Sequence, residues 1–404
     1  MKKGWEYKTF KDISHSISDG DWIEKKDQSN SGIRLIQTGN IGVGKFIPKD
    51  DSRKFITEDT FKRLKCSEIF EGDVLISRLP NPLGRSCILP KLDTRCITAV
   101  DCSIVRLKKE VILSEYFIYY TQSQGYFTKI DSESSGTTRA RITRKKLEQT
   151  EIPIPPLSEQ KEIVEYLDSS FAKIDKLKEN AAKNLEEAKA LFQSALKDAL
   201  EPKEGWEEKT LKELSEIQSG YAFKSSDFKS SGKYQVIRMG NVRPGVIRYN
   251  ESPVFINEEL DEKAKEKALL QIGDMIITQT GSRNKRDYGF TVLIEKDNLL
   301  LNQRIARIRV KDKLLNKYLL YYSWTDYFRD QYFANEGGTV GQGNVGMDAI
   351  KDNIIPLPSL PEQQSIVSFL DSLSEKVNTL QQNYSRICDE CDALKQAILR
   401  QVFE

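Results

Sequence analysis

The sequence is poor in the residues from which many active sites are built. It has one histidine, His15, in 404 residues, which excludes a metal site with several histidine ligands. A histidine-dependent catalytic triad would have to use that single side chain. This scarcity of imidazole narrows the classes of active site that the chain can hold.

Long apolar runs and strong charge of one sign are also missing. No segment approaches the roughly 18 consecutive apolar residues that span a membrane, and no apolar segment of a secretory signal follows the N-terminal lysines. The six cysteines then indicate reduced thiols rather than a disulfide scaffold. Lys and Arg number 62 and Asp and Glu 60, which excludes a uniformly basic surface but not local basic patches. We expect a soluble, cytoplasmic protein.

Motifs that suggest catalysis or metal binding are incomplete. Residues 39–45 (GNIGVGK) begin like a phosphate-binding P-loop, but Phe46 stands where Ser or Thr would bind magnesium. Cys388 and Cys391 have the spacing of a redox or zinc pair, yet no second pair completes four ligands. The carboxylates are scattered. We therefore predict no catalytic residue, no metal site and no cofactor bound by this chain.

What the sequence does contain is an internal repeat. Residues 2–14 (KKGWEYKTFKDIS) match residues 203–215 (KEGWEEKTLKELS) at 8 of 13 positions. The same offset, 201 residues, relates the Gly-Asn pair at 39–40 to the one at 240–241. It also relates the Gly-Asp pair at 72–73 to the one at 273–274. An offset of 203 relates IPIPPLSEQ (152–160) to IPLPSLPEQ (355–363). Because the order is kept, we interpret the chain as a tandem duplication.

Each half begins with short apolar runs between turn residues and ends in a long heptad pattern. The first pattern predicts strands with a few helices, and the second predicts a coiled-coil helix that needs a partner. We predict an α+β fold with globular domains at 1–155 and 202–358 and long helices at 156–201 and 359–404. A pseudo-two-fold axis would make the helices antiparallel. The predicted helix interface comprises Leu167, Phe171, Ile174, Leu185, Phe192, Leu370, Val377, Leu380, Ile387 and Leu394.

Basic and amide residues cluster at matching places of the two halves and suggest nucleic-acid contacts. Arg and Lys can neutralise phosphates, Arg can pair with guanine, and Asn or Gln with adenine. The candidates in the first half are Arg78, Asn81, Arg85, Thr138, Arg139, Arg141, Arg144 and Lys145. Those in the second half are Tyr221, Lys224, Gln279, Arg283, Asn284, Lys285, Arg286, Gln342 and Asn344. An ordinary solvated surface is the alternative for each segment.

The repeated motifs resemble the specificity subunit of type I restriction-modification systems. They are the openings at Gly4–Thr9 and Gly205–Thr210, the Gly-Asn pairs, and the endings at Ile152–Gln160 and Ile355–Gln363. The resemblance implies two target recognition domains, each reading half of a bipartite, asymmetric site in double-stranded DNA, and helices that set the spacing. It implies two modification subunits, which bind S-adenosylmethionine and methylate adenine, and restriction (translocase) subunits that use ATP and magnesium. The chain itself would be non-catalytic and would assemble these partners.

Two other functions stay open at this point. A structural adaptor could carry two protein-binding heads on a coiled-coil rod without binding DNA. A nuclease could be built from the scattered carboxylates. The adaptor predicts no salt-dependent binding to duplex DNA, and the nuclease predicts magnesium-dependent cutting by the chain alone.

Overall fold

The structure is a computed structural model that describes residues 4–135, 140–257 and 262–404. The chain divides into two compact units, unit 1 (Met1–Ala182 with Tyr384–Glu404) and unit 2 (Lys183–Asn383). Each unit therefore joins one globular head to segments of both long helices. In the part of the chain that the structure describes, no helix is both long and apolar enough to cross a membrane.

Within the described residues, the first head contains eleven strands and four α-helices. The strands are β1 (Glu6–Thr9), β2 (Ser14–Asp19), β3 (Gln28–Ser29), β4 (Ile33–Ile36), β5 (Lys54–Ile56), β6 (Glu68–Ile69), β7 (Val74–Ser77), β8 (Ser86–Ile88), β9 (Cys96–Thr98), β10 (Cys102–Leu107) and β11 (Glu151–Ile154). The helices are α1 (Glu58–Leu64), α2 (Ser114–Tyr120), α3 (Gln124–Glu133) and α4 (Arg144–Glu148). The first long helix is α5 (Leu157–Leu200).

The second head repeats this order with small differences. Its strands are β12 (Glu207–Thr210), β13 (Ser215–Ser219), β14 (Tyr234–Ile237), β15 (Val242–Arg243), β16 (Val246–Ile247), β17 (Phe255–Ile256), β18 (Met275–Thr278), β19 (Thr280–Ser282), β20 (Thr291–Leu293), β21 (Leu299–Leu301), β22 (Ile305–Val310), β23 (Gly337–Thr339), β24 (Gln342–Asn344) and β25 (Ile354–Leu357). Its helices are α6 (Leu211–Leu214), α7 (Glu262–Ala268), α8 (Asn316–Tyr322), α9 (Asp326–Ala334) and α10 (Met347–Lys351), and the second long helix is α11 (Leu360–Phe403).

The sheets of the two heads correspond. A four-stranded antiparallel sheet has the order β2-β10-β7-β8 in unit 1 and β13-β22-β18-β20 in unit 2. A second sheet contains one parallel pair, β4 with β9 or β14 with β21. The predicted α+β fold with a tandem repeat and two long helices is confirmed.

The repeated sequence motifs hold each head to its helix. In unit 1, β1 pairs with β11, and the Trp5 indole N–H donates to Glu159 Oε1 at 2.8 Å. Gln160 is fully buried; its Oε1 accepts the Leu113 N–H at 2.9 Å, and its amide donates to two backbone carbonyls. The motif that opens the first half (Gly4–Thr9) and the motif that ends its head (Ile152–Gln160) thus meet at the start of α5. Unit 2 repeats this with Trp206, Glu362 and Gln363.

The aspartates of the Gly-Asp pairs are buried and form ion pairs with partly exposed arginines of the neighbouring strand. In unit 2, Asp274 receives two guanidinium hydrogen bonds from Arg309, at 2.7 and 2.8 Å, and its Oδ2 also accepts the Gln271 N–H. In unit 1, Asp73 is paired with Arg106 in the same way, at 3.0 and 3.1 Å. Each pair bridges a strand of the four-stranded sheet to the turn before its neighbour, and the two hydrogen bonds fix the planar guanidinium.

The long helices run antiparallel within unit 1. Lys178 pairs with Asp392 at 2.8 Å and Asp175 with Lys395 at 2.6 Å, so residue numbers rise in α5 as they fall in α11. In unit 2, the last turns of α5 share one apolar core with the first turns of α11 and with α8.

The heptad frame describes only part of the buried helix faces. Leu167, Phe171, Ile174, Leu185, Phe192 and Leu370 are buried, and Val377 and Ile387 are partly exposed. Leu380 and Leu394 are 38% and 48% exposed, so their placement in a helix seam is corrected. Since an α-helix drifts about 20° per heptad from a strict seven-residue repeat, the frame leaves the buried face over 44 residues. The buried positions move to Leu196 and Leu200 and to Leu399, Val402 and Phe403.

Candidate nucleic-acid interface

In unit 2, backbone pairing joins two of the predicted segments. Strand β19 pairs with β24, with Thr280 opposite Asn344 and Ser282 opposite Gln342, and β23 pairs with the other edge of β24. These segments are about 60 residues apart in sequence. The resulting three-stranded ribbon places the turn after β19 beside the glycine-rich hairpin of β23 and β24.

The turn after β19 carries two of the exposed cations of this surface. Asn284, Lys285 and Arg286 are exposed. The Arg286 guanidinium lies 4.9 Å from the centre of the Phe333 ring, and Arg329 lies 5.2 Å from the same ring. Burial, together with the charge of Arg286, lowers the pKa of Arg329. Stacking on Phe333 thus holds Arg286 in place, whereas Asn284 and Lys285 are exposed to solvent.

Two predicted residues of unit 2 support the ribbon rather than face outward. Gln279 is 7% exposed, and its side-chain amide donates to the Val345 carbonyl at 3.2 Å. Arg283 forms an ion pair with Glu336 at 3.4 Å and donates to the Gly337 carbonyl at 2.9 Å. We therefore correct Gln279 to a structural residue and describe Arg283 as a brace of the hairpin.

The third predicted segment meets this surface through a corner that the sequence analysis missed. The Tyr221 N–H donates to the Leu301 carbonyl at 3.0 Å, its ring packs on Phe223, and Lys224 is exposed. After Leu301, the chain continues through the exposed Gln303 and Arg304. Arg304 Nη1 lies 3.5 Å from Asn344 Oδ1. Residues 302–304 thus connect all three segments.

A signal for this corner was present in the repeat. At the offset of 203, Asn302-Gln303-Arg304 corresponds to Ala99-Val100-Asp101, so a polar and basic triplet replaces a small, apolar and acidic one. Arg304 has φ +69°, a conformation uncommon for a side chain of this kind. Arg238, Gln303 and Arg304 also line a cavity of 430 Å³.

In unit 1, two predicted DNA contacts are interior residues. Arg85 is 7% exposed, and its guanidinium donates to the backbone carbonyls of Ile41, Leu79, Pro82 and Thr38 at 2.6 to 2.9 Å. Burial lowers its pKa. All of these acceptors belong to two adjacent loops, so we correct Arg85 to a residue that holds those loops together.

Arg78 is the second interior residue, at 5% exposure. Its guanidinium donates to the Val100 carbonyl and lies 3.4 Å from Asp19 Oδ2. Burial lowers the pKa of Arg78, and the nearby positive charge of Arg141 lowers it further. The side chain therefore anchors a loop, and we correct its assignment as an exposed base contact.

The remaining unit 1 candidates lie at the surface. Asn81 and Lys145 are exposed, Arg144 pairs with Glu148 at 3.2 Å, and Arg141 pairs with Asp101 at 2.9 Å. The Ile142 N–H donates to the Arg78 carbonyl at 3.3 Å, which brings the two predicted segments of unit 1 together as in unit 2. Thr138 and Arg139 lie outside the described residues.

Within the described part of each unit, no cluster of side chains is typical of a metal site. Among residues 4–135, 140–257 and 262–404, no group of three or more His, Cys, Asp or Glu side chains is placed to hold a metal ion. Cys391 is buried against the Ile174 carbonyl, where it packs as a small apolar residue.

Comparison with known proteins places the chain in a family. The family model described as the type I restriction modification DNA specificity domain matches residues 2–187 and 203–387. The EcoKI specificity subunit of Escherichia coli K12 is 26% identical over 403 residues, covering 94% of this chain and 84% of that protein.

Two solved structures share the fold. One comes from work on complex assembly and conformational transition of the type I R-M system, with a TM-score of 0.76, 20% identity and coverage of 100% of this chain and 98% of that one. The other is the HsdS subunit of Thermoanaerobacter tengcongensis, with a TM-score of 0.58, 20% identity and coverage of 100% and 97%. The family predicted from the repeated motifs is confirmed: the chain belongs to the type I restriction modification DNA specificity family.

Proposed function

We propose that each unit reads one half of a bipartite, asymmetric site in double-stranded DNA. The observation that carries this proposal is the surface of unit 2, where three separate segments converge and combine exposed cations with amide side chains. Cations hold phosphates, and amides read base edges. The corresponding corner of unit 1 has Ala99 and Val100 where unit 2 has the amides Asn302 and Gln303, and this difference supports two different half-sites.

We also propose that the long helices set the spacing of the half-sites and bind the catalytic partners. Two modification subunits would supply S-adenosylmethionine and adenine methylation, and restriction subunits would supply ATP- and magnesium-dependent cleavage. This chain would contribute DNA sequence choice and assembly, without catalysis.

Apolar side chains on the helices support two equivalent partner sites. Unit 1 exposes Tyr166, Leu177 and Leu394, and unit 2 exposes Phe369, Leu380 and Leu191, each between 38% and 63%. Each residue of one set lies 203 positions from its counterpart in the other. Singly exposed apolar side chains are ordinary on protein surfaces, but here the same helix positions are exposed in both halves of the repeat. The duplication therefore favours two copies of one partner.

Methylation mapping tests the DNA-reading proposal. In a host that lacks other adenine methyltransferases, expression of the chain with its modification subunits should produce one bipartite methyladenine motif. The combined variant Asn302→Ala, Gln303→Val and Arg304→Asp, which copies the unit 1 triplet, should change one half of that motif only. Asp312→Ala, at an exposed loop of unit 2, is the control and should leave the motif intact. A change in both halves would refute separate reading heads.

Substitution of one exposed leucine tests the partner sites. Leu380→Glu places a charge in an apolar contact, so the complex should fall from two modification subunits to one by native mass spectrometry. Leu177→Glu should do the same for the other site, and the double variant should bind none. Gln381→Glu adds the same charge at the next exposed position and serves as the control. If the double variant still bound two modification subunits, the assignment of Leu177 and Leu380 to the partner sites would be wrong.

A further inference from the structure

The tip of the β23–β24 hairpin carries an apolar side chain with nothing over it. Val340 and Gly341 connect the two strands, and the Val340 side chain is completely exposed. Gly338 and Gly341 have φ of +115° and +97°, which the hairpin needs and which L side chains rarely adopt. Valine prefers strands to turns, and here it adds nothing to a core. Its position therefore calls for a role outside folding.

The hairpin is held in place from beneath. Arg283 donates from Nη2 to the Gly337 carbonyl at 2.9 Å and from its backbone N–H to the Gly341 carbonyl at 3.2 Å. The Tyr288 hydroxyl and a carboxylate oxygen of Glu336 occupy the space that a Cβ on Gly343 would need, so strand β24 lies directly on them. The exposed valine is thus presented on a fixed support.

The chemistry of the hairpin differs from that of its surroundings. Residues 337–346 (GGTVGQGNVG) carry no charged side chain, whereas Lys285 and Arg304 lie on the adjoining turn and corner. A neutral ribbon cannot bind phosphates by charge, but its hydroxyl, amide and methyl groups suit base edges. A two-stranded ribbon also fits the major groove of B-DNA, where thymine alone presents a methyl group.

We propose that Val340 is a specificity-determining residue that contacts the 5-methyl group of a thymine in the half-site bound by unit 2. The neighbouring cations hold the DNA backbone, which brings the hairpin into the major groove. The methyl groups of valine and thymine then exclude water from each other. This assignment rests on the proposed function and names one contact within it.

Replacement of thymine by uracil tests the contact, because it removes the methyl group and leaves base pairing unchanged. The full chain with its modification subunits is measured against duplexes carrying the mapped motif, with uracil placed at one thymine of the second half-site at a time. At one of these positions, wild type should bind the duplex with uracil about fourfold more weakly than the duplex with thymine. This ratio corresponds to the free energy of burying one methyl group. Val340→Ala should bind both duplexes equally at that position.

The control is Val246→Ala, at another exposed valine of unit 2, which should keep the wild-type preference for thymine. An unchanged preference in Val340→Ala would overturn the role of Val340 while leaving DNA reading intact. Insensitivity of wild type to uracil at every position, or a second half-site without thymine, would also overturn it. Failure of wild type to bind any duplex selectively would overturn the proposed function itself.

Discussion

Gln363→Met should lower the melting temperature of unit 2 by about 10 °C. The substitution keeps the length of the side chain but removes the hydrogen bonds that Gln363 makes to the Leu315 N–H and to the carbonyls of Lys313 and Pro358. Gln363 is fully buried, so water cannot replace them. Each unpaired buried group costs about 1–3 kcal/mol, and about 4 kcal/mol in total corresponds to this shift for a domain of this size.

Differential scanning calorimetry measures the effect, and the chain offers a close control. Gln364 is the next residue of the same helix and is exposed, so Gln364→Met should leave the melting temperature within about 1 °C. Gln160→Met should destabilise unit 1 by a similar amount, since it makes the same three bonds there. A shift below 3 °C for Gln363→Met would show that the head is not held to its helix by this residue.

The repeated motifs illustrate what the sequence could predict. The duplication, the strand-rich heads and the long helices followed from patterns within each half, because local periodicity and repeat order are readable without contacts. The role of Gln160 and Gln363 was not readable in this way. Two of the three partners of each side chain lie 47 to 50 residues earlier in the chain, and only the folded structure brings them together.

In the candidate interface, too, some features could be predicted from the sequence and others could not. Residues such as Asn284 and Lys285 are exposed, as their predicted contact with DNA requires. Arg85 is buried instead. A cation in a loop can satisfy its donors with backbone carbonyls as readily as with phosphates, and composition does not distinguish these two environments. The corner at Gln303 and Arg304 was missed for the opposite reason: it is too short to form a basic run, and its place in the surface depends on strand pairing.

Removal of one cation from the Tyr221–Lys224 segment, one from the turn after β19 and one from the corner at residues 302–304 should produce the largest loss of DNA affinity. The variant Lys224→Ala, Lys285→Ala and Arg304→Ala removes three exposed charges of unit 2. If each neutralises one phosphate, the slope of log K against log salt should fall by about 2.7. At about 0.1 M salt this corresponds to roughly a 500-fold weaker complex with any duplex, since phosphate contacts carry no sequence information.

Binding measured between about 50 and 200 mM salt separates this charge effect from damage to the fold. Over that range, wild type should lose about 40-fold more affinity than the triple variant. Lys212→Ala, Lys313→Ala and Lys351→Ala, which remove three cations of the same unit outside these segments and the corner, should keep the wild-type slope. An equal slope in both triple variants would place the phosphate contacts elsewhere, and a flat salt dependence of wild type would favour a protein-binding adaptor over a DNA-reading subunit.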